Sequence, residues 1–420
     1  MSKRVSWVIG LAVLVGIALL VACSGNYSAS SDGLVIVPSL GSAVVQSFSF
    51  NLSSGSYSTI DSNPVIPGTP DQGAPTAVVL DPTQTYVYMT TSHVTTAPCT
   101  TSNAIASFKV HSDGSLSAIG STPLPGPNPA VQASNPAVSL AIDNGNKFLF
   151  VANRGTCQQT GGPISAGYVT VFSIGSGASL TLVGTFVVPQ APGAPTPNPL
   201  ALAVTHTGFP PAPATCAQNT APSSEYLYVA DEAGNDVIGY SVSSTGMLNP
   251  LTLVGYSTGT NPSGIAVDPC NRFVFVGNTE SNNVTAFQIC SQVGFGNCTT
   301  NDWSLVASNG SPFNAGAQPG PLVVDPYGFF LYALDTGSNQ ISAYKIAQST
   351  GALTQLSPAT YAAQQGAVSI AIRSDGSWLF VTNTIAGTIS QFGVNPSTGT
   401  LIPTATPIIT DNYPYGVAVK

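Results

Sequence analysis

Charge is the scarcest property of this sequence. Its 420 residues include 9 lysines and arginines, 17 aspartates and glutamates and 3 histidines, so charged side chains amount to 6%. Such a chain has no electrostatic footprint for nucleic acid. Its net charge of −8, which becomes −10 when the leader cations Lys3 and Arg4 are removed, repels polyanions. Histidine is too rare, and Cys-x-x-Cys too plainly missing, for a metal centre to be expected. There is no Gly-x-Ser-x-Gly elbow, no His-Glu-x-x-His, no phosphate loop and no dinucleotide fingerprint, and no cofactor is expected. Beyond the first 22 residues no long stretch carries Leu, Glu, Lys and Ala at helical spacing, which excludes a helical bundle.

What is present is repetition. A short aromatic or aliphatic run recurs at Leu34–Pro38, Tyr86–Thr90, Phe148–Asn153, Tyr226–Asp231, Phe273–Asn278, Phe330–Asp335 and Trp378–Asn383. All but the first follow a strand candidate rich in small residues, such as APTAVVLDP, NPSGIAVDP or QPGPLVVDP. Each is followed by an alternating segment, as in Ala104–Val110 and Gln340–Ile346, and then by a weaker fourth strand. Four short strands per unit of roughly 45–60 residues predict an all-β fold, a seven-bladed β-propeller. The first unit lacks its leading strand, and the chain closes with one that has no sequel, Tyr413–Lys420. Blade 1 is therefore expected to take its innermost strand from the C-terminus, which closes the ring and leaves no open edge between blades.

The single long apolar run, Val8–Ala22, follows Lys3 and Arg4 and ends in Leu20-Val21-Ala22-Cys23. This is the layout of a bacterial export signal, and the last four residues resemble the lipobox of lipoproteins. The expected organisation is a lipoprotein signal peptide over 1–22, a lipidated Cys23 and tether over 23–32, and a propeller over 33–420. The expected location is the bacterial cell envelope, with the membrane met through the lipid on Cys23. Six cysteines then remain, an even number suited to an oxidising compartment. In a propeller, loops joining second to third strands share one face with the connections between blades; the other loops lie on the opposite face. On that layout Cys99 can meet Cys157, Cys216 can meet Cys270, and Cys290 and Cys298 bracket one local loop. Longer inserts, Thr91–Asn103 and Gly155–Gly167 on one face and His206–Ser224 and Ser291–Asp302 on the other, account for much of the variation in repeat length.

The run of second strands, with Pro-x-x-x-x-Val-Asp-Pro before them and Val-x-x-Phe-x-Val after them, resembles the seven-bladed lactonase-type propellers. That family includes 6-phosphogluconolactonase-like proteins and surface proteins of YVTN-type repeats. The resemblance covers essentially Leu34–Lys420. It implies ester hydrolysis by polar residues at the channel mouth, and basic groups there where the substrate is phosphorylated.

Hydrolysis of a lactone needs an activated water and a group to stabilise the developing oxyanion. On the face carrying the second-to-third-strand loops, the candidates are Arg154, Glu232, His93 and Asp335. His111 and His206 fall on the other face. Asn153, Asp231, Asn278, Asp335 and Asn383 occupy equivalent positions and are expected chiefly to cap turns; Asp81, Asp143, Asp268 and Asp325 are expected to form turns after leading strands. Two functions are compatible with these features. One is an envelope-anchored propeller that binds or scaffolds a protein or neutral glycan; the alternative is a lactonase-like hydrolase of a sugar lactone or related ester.

Overall fold

The computed structural model describes residues 32–39, 44–61, 74–92, 103–126, 137–155, 166–206, 224–410 and 413–420. Their strands form seven antiparallel sheets, each with its leading strand at one edge. Blade 3 is representative. Its strands Ala137–Ile142, Phe148–Asn153, Tyr168–Ile174 and Leu180–Val187 pair strictly in chain order.

Blade 1 is the exception that closes the ring. Asp32–Ser39 pairs with Val44–Asn51 on one side and with Ala418–Val419 on the other. Leu34 and Lys420 exchange backbone hydrogen bonds of 3.2 and 2.9 Å, and Tyr415 donates from its backbone to Pro38 at 3.0 Å. The C-terminal segment thus supplies the leading strand, although its regular pairing is shorter than the eight residues expected.

Burial explains why the second strands read as continuous apolar runs. Phe148–Asn153, Phe273–Asn278 and Phe330–Asp335 are buried at every position. Side chains of a strand point alternately to its two faces, and here each face meets a different neighbour. Leu34 and Ile36 pack with Val87 and Met89 of blade 2, whereas Val35 and Val37 pack with Phe380 and Ile389 of blade 7. The apolar clusters therefore lie between blades, and every blade contributes to two of them. Outer strands face water on one side and are correspondingly polar, as in the largely exposed Leu116–Pro123.

Polar side chains fix the turns. Asp81, Asp143, Asp268 and Asp325 each accept two backbone N–H bonds through Oδ1, from Thr85 and Tyr86, Lys147 and Phe148, Arg272 and Phe273, and Phe329 and Phe330. These are the turn formers expected from sequence. Asp268 also holds the buried Arg272 guanidinium at 2.6 Å.

A second set of side chains joins blade to blade. Asn235, Asn282 and Asn339 adopt left-handed φ values of 55°, 53° and 53° in the hairpins between second and third strands. Each aims Oδ1 at the start of the next blade: Asn261 N at 2.8 Å, Gln318 N at 2.7 Å, and Gly366 N and Ala367 N at 2.8 and 3.1 Å. Asparagine suits both demands, because it tolerates the left-handed region and carries its own acceptor.

Cys290 and Cys298 form the expected disulfide, with Cα atoms 5.2 Å apart. The insert that it closes leads to Trp303, which stacks on Tyr226 of blade 4 at 4.4 Å and accepts a hydrogen bond from the Tyr228 hydroxyl at 2.8 Å. The insert thereby braces blade 5 against blade 4. Cys270 is also disulfide-bonded. Cys23, Cys99, Cys157 and Cys216 lie outside the described residues, as do the leader and the tether up to Ser31.

Candidate active site at the channel mouth

The leading strands surround a central cavity of about 470 Å³. Each of the seven blades contributes to its wall, from Thr76–Val78 in blade 2 round to Tyr415–Val417 in blade 1. Branched aliphatic side chains alternate there with Gly, Ala, Ser and Thr, whose small size suits seven converging strands. Gly264 has no room for more, since a Cβ would come within 2.0 Å of the Gly320 carbonyl. Among the described residues, Arg154 is the one charged side chain that lines the cavity.

Arg154 follows the second strand of blade 3, immediately after Asn153. Asn153 is fully buried and its amide donates to Val151 O, Tyr168 O and Thr170 Oγ1. This clamps the end of the strand and fixes where Arg154 emerges. Across the blade interface, Arg154 Nη2 contacts Glu232 Oε2 at 2.9 Å, with the two side chains 35% and 22% exposed. The pair is partly dry yet open to solvent.

Asn198, just before the leading strand of blade 4, holds this pair together. Its Oδ1 accepts from Arg154 Nε at 3.4 Å and from Gly155 N at 3.2 Å. Its Nδ2 donates to Glu232 Oε2, and its backbone exchanges bonds with Glu232 N, at 3.1 Å, and Asp231 Oδ1, at 2.5 Å. One asparagine therefore orients cation and carboxylate together. Both hydrogen bonds to the Glu232 carboxylate end on Oε2, which leaves Oε1 without a described partner.

A buried acid, Asp231, and a half-buried one, Asp236, stand behind the pair. Burial pushes the Asp231 carboxyl upward, partly offset by N–H bonds from Asn198, Gly234 and Ala233. Asp236, its register partner across the hairpin, is pushed up to about 6, first by burial and then by the Asp231 charge.

The four residues expected at this site do not all converge. Arg154 and Glu232 are in contact. Asp335 is fully buried at the end of a second strand in blade 6, where Ser342 Oγ donates to its Oδ2 at 2.7 Å. Burial raises its carboxyl to about 6. Its bond ties the second strand to the third and does not cap the hairpin turn as expected; Asn278 and Asn383 likewise bond Thr285 and Ser390, at the same seven-residue spacing. His93 lies outside the described residues. Asn198 was not among the expected residues; the only sequence signal for it is the Asn-Pro that opens NPLALAV. No cluster of three or more His, Cys, Asp or Glu side chains suited to a metal occurs among the described residues.

The profile of the seven-bladed β-propeller lactonases matches residues 202–302 and 296–419, together just over half of the sequence. The chain belongs to the lactonase family. Solved propellers of the same shape accompany that match. A candidate 6-phosphogluconolactonase from Bacteroides fragilis superposes with a TM-score of 0.69 at 15% identity, covering 94% of this chain and all of that one. The periplasmic gluconolactonase PpgL of Pseudomonas aeruginosa gives 0.68 at 16% identity, with 93% and 99% covered. At such identities the likeness is one of fold. No curated protein matches the lactonase chain at significant similarity. Family membership favours the hydrolase alternative over the binding or scaffolding role placed first from sequence, for which these comparisons offer no support.

Proposed function

We propose that this propeller is an extracytoplasmic hydrolase of lactones, acting at the channel mouth through Arg154 and Glu232. The observation that carries the reading is the ion pair itself, a guanidinium lining the central cavity and braced by a carboxylate in a lactonase-family chain. In this mechanism the lactone carbonyl oxygen lies against Arg154, whose N–H groups stabilise the oxyanion as it forms. Glu232 Oε1 takes a proton from the attacking water as the water oxygen bonds to the carbonyl carbon. Collapse breaks the ring C–O bond, and the departing ring oxygen recovers that proton from Glu232. The product hydroxy acid ionises and releases one proton to solvent, so turnover can be followed by titration.

The sulfur chemistry and the leader support the compartment. Disulfides at Cys290–Cys298 and at Cys270 suit an oxidising environment. The export signal and the lipid on Cys23 belong to the same proposal. The test is base uptake at constant pH by the disulfide-intact protein with a panel of lactones, corrected for spontaneous opening. Turnover that is lost in Arg154→Ala and Glu232→Gln, with both variants folded, is the expected result. No turnover on any lactone would return the protein to the binding reading.

A further inference from the structure

Apart from Lys3 and Arg4, the sequence holds seven basic residues, and all seven lie in the described structure. Six of them are on the face away from the channel mouth. Lys109 and Lys345 sit at the far ends of third strands, opposite Tyr86 and Phe330. Lys147, Arg272 and Arg373 belong to the turns between first and second strands, and Lys420 pairs beside Leu34. Arg154 is alone on the mouth face. The loops at 93–102 and 156–165, which join second to third strands in blades 2 and 3, contain no lysine or arginine. The mouth face does hold acids, at Asp231, Glu232, Asp236, Glu280 and Asp335, and Glu232 already engages the Arg154 guanidinium.

Resting on the lactone-hydrolase reading, we propose that the substrate is an uncharged, polyhydroxylated lactone and that this charge distribution rejects phosphorylated ones. A phosphomonoester carries about −1.5 to −2 charges near neutral pH and must exchange its water for cationic or N–H partners. One neutralised guanidinium among several carboxylates does not supply them. Uncharged hydroxyl groups do find partners, because Ser139 and Ser369 place hydroxyls on two blades around the cavity, beside Thr76 and Ser263, whose hydroxyls already bond Ala137 O and Thr279 Oγ1. Leu140 and Ile265, between them, offer apolar wall to the ring carbons. The 470 Å³ volume is in the range of small-molecule sites and accommodates a single sugar ring.

The experiment compares kcat/KM of the full protein for glucono-1,5-lactone and its 6-phosphate, at low and at high salt. The neutral lactone should be preferred on the order of a hundredfold at low salt, and screening should narrow the gap. Glu280, exposed on the mouth face and outside the proposed catalytic pair, provides the second arm. Glu280→Lys should raise kcat/KM severalfold for the phosphorylated lactone and leave the neutral one unchanged. A phosphorylated lactone hydrolysed as well as the neutral one, or a preference indifferent both to salt and to Glu280→Lys, overturns this proposal alone. Hydrolysis of neither lactone, nor of others in the wider panel, overturns the hydrolase reading and this proposal with it.

Discussion

Replacing Asp335 with asparagine should stabilise the protein, and only above acidic pH. Asp335 is fully buried, and burial lifts its carboxyl from an ordinary 3.8 to about 6. The unfolded chain releases this proton near 3.8, whereas the folded chain keeps it until about 6. The stability tied to the protonated form is complete below 3.8 and is lost as pH rises through 6. Each unit of difference is worth 1.36 kcal/mol, so ionising Asp335 costs the folded state about 3 kcal/mol by pH 7.5. Asparagine avoids that cost and keeps the local bond by reversing it, with Nδ2 donating to Ser342 Oγ as Asn278 and Asn383 donate to Thr285 and Ser390. Oδ1 has no described partner in Asp335 or in Asn278, and what the exchange gives up is the backbone N–H bonding of Gly316 and Ser342 to the carboxylate. Guanidinium melts of wild type and Asp335→Asn should diverge by about 3 kcal/mol at pH 7.5 and converge near pH 4. A variant no more stable at pH 7.5, or a gap that does not change with pH, would refute the reasoning. The same variant tests the catalytic candidacy of Asp335, since a purely structural residue leaves lactone turnover intact.

Asn198→Ala should lower kcat on the order of tenfold to a hundredfold with KM little changed, because misorienting a catalytic pair costs rate more than binding; steady-state kinetics on a turned-over lactone checks this, and an unchanged kcat would contradict it. Asn339→Ala should cost about 2–3 kcal/mol, from two lost bonds and a left-handed backbone, whereas Asn339→Gly should recover the backbone part, as denaturant melts would reveal. Deleting Tyr413–Lys420 removes Val417 from the core between blades 7 and 1 and opens the edge of Asp32–Ser39. The truncated chain should lose its cooperative melt and self-associate on gel filtration, and a monomer with an unchanged melting temperature would count against strand-sealed closure.

The architecture was legible because blade packing imposes a two-sided burial that sequence cannot hide. Phe148–Asn153, Phe273–Asn278, Phe330–Asp335 and Trp378–Asn383 have the bounds read from sequence. Outer strands were less legible. In blades 4, 5 and 7 the outermost strand breaks into two short pieces, such as Leu401–Pro403 and Ile408–Ile409, since a water-facing edge demands little of its side chains. The clips at Asn235, Asn282 and Asn339 drew no notice in the sequence, because their acceptors act on the following blade. The site was half legible. Topology put Arg154, Glu232 and Asp335 on one face, but contact depends on which blades adjoin and on which side chains are buried. Asn198 escaped notice for the same reason, as its partners lie 43 and 44 positions away in Gly155 and Arg154 and across an interface.

Ring closure by the C-terminal strand also fixes the face on which the first strand of the propeller begins. Asp32 pairs opposite Asn51, at the strand end beside Lys420, so the first strand of the propeller begins on the face away from Arg154. A lipid on Cys23, as proposed, would hold the propeller by its lysine-bearing side and present the Arg154 mouth outward, toward whatever diffuses past the envelope.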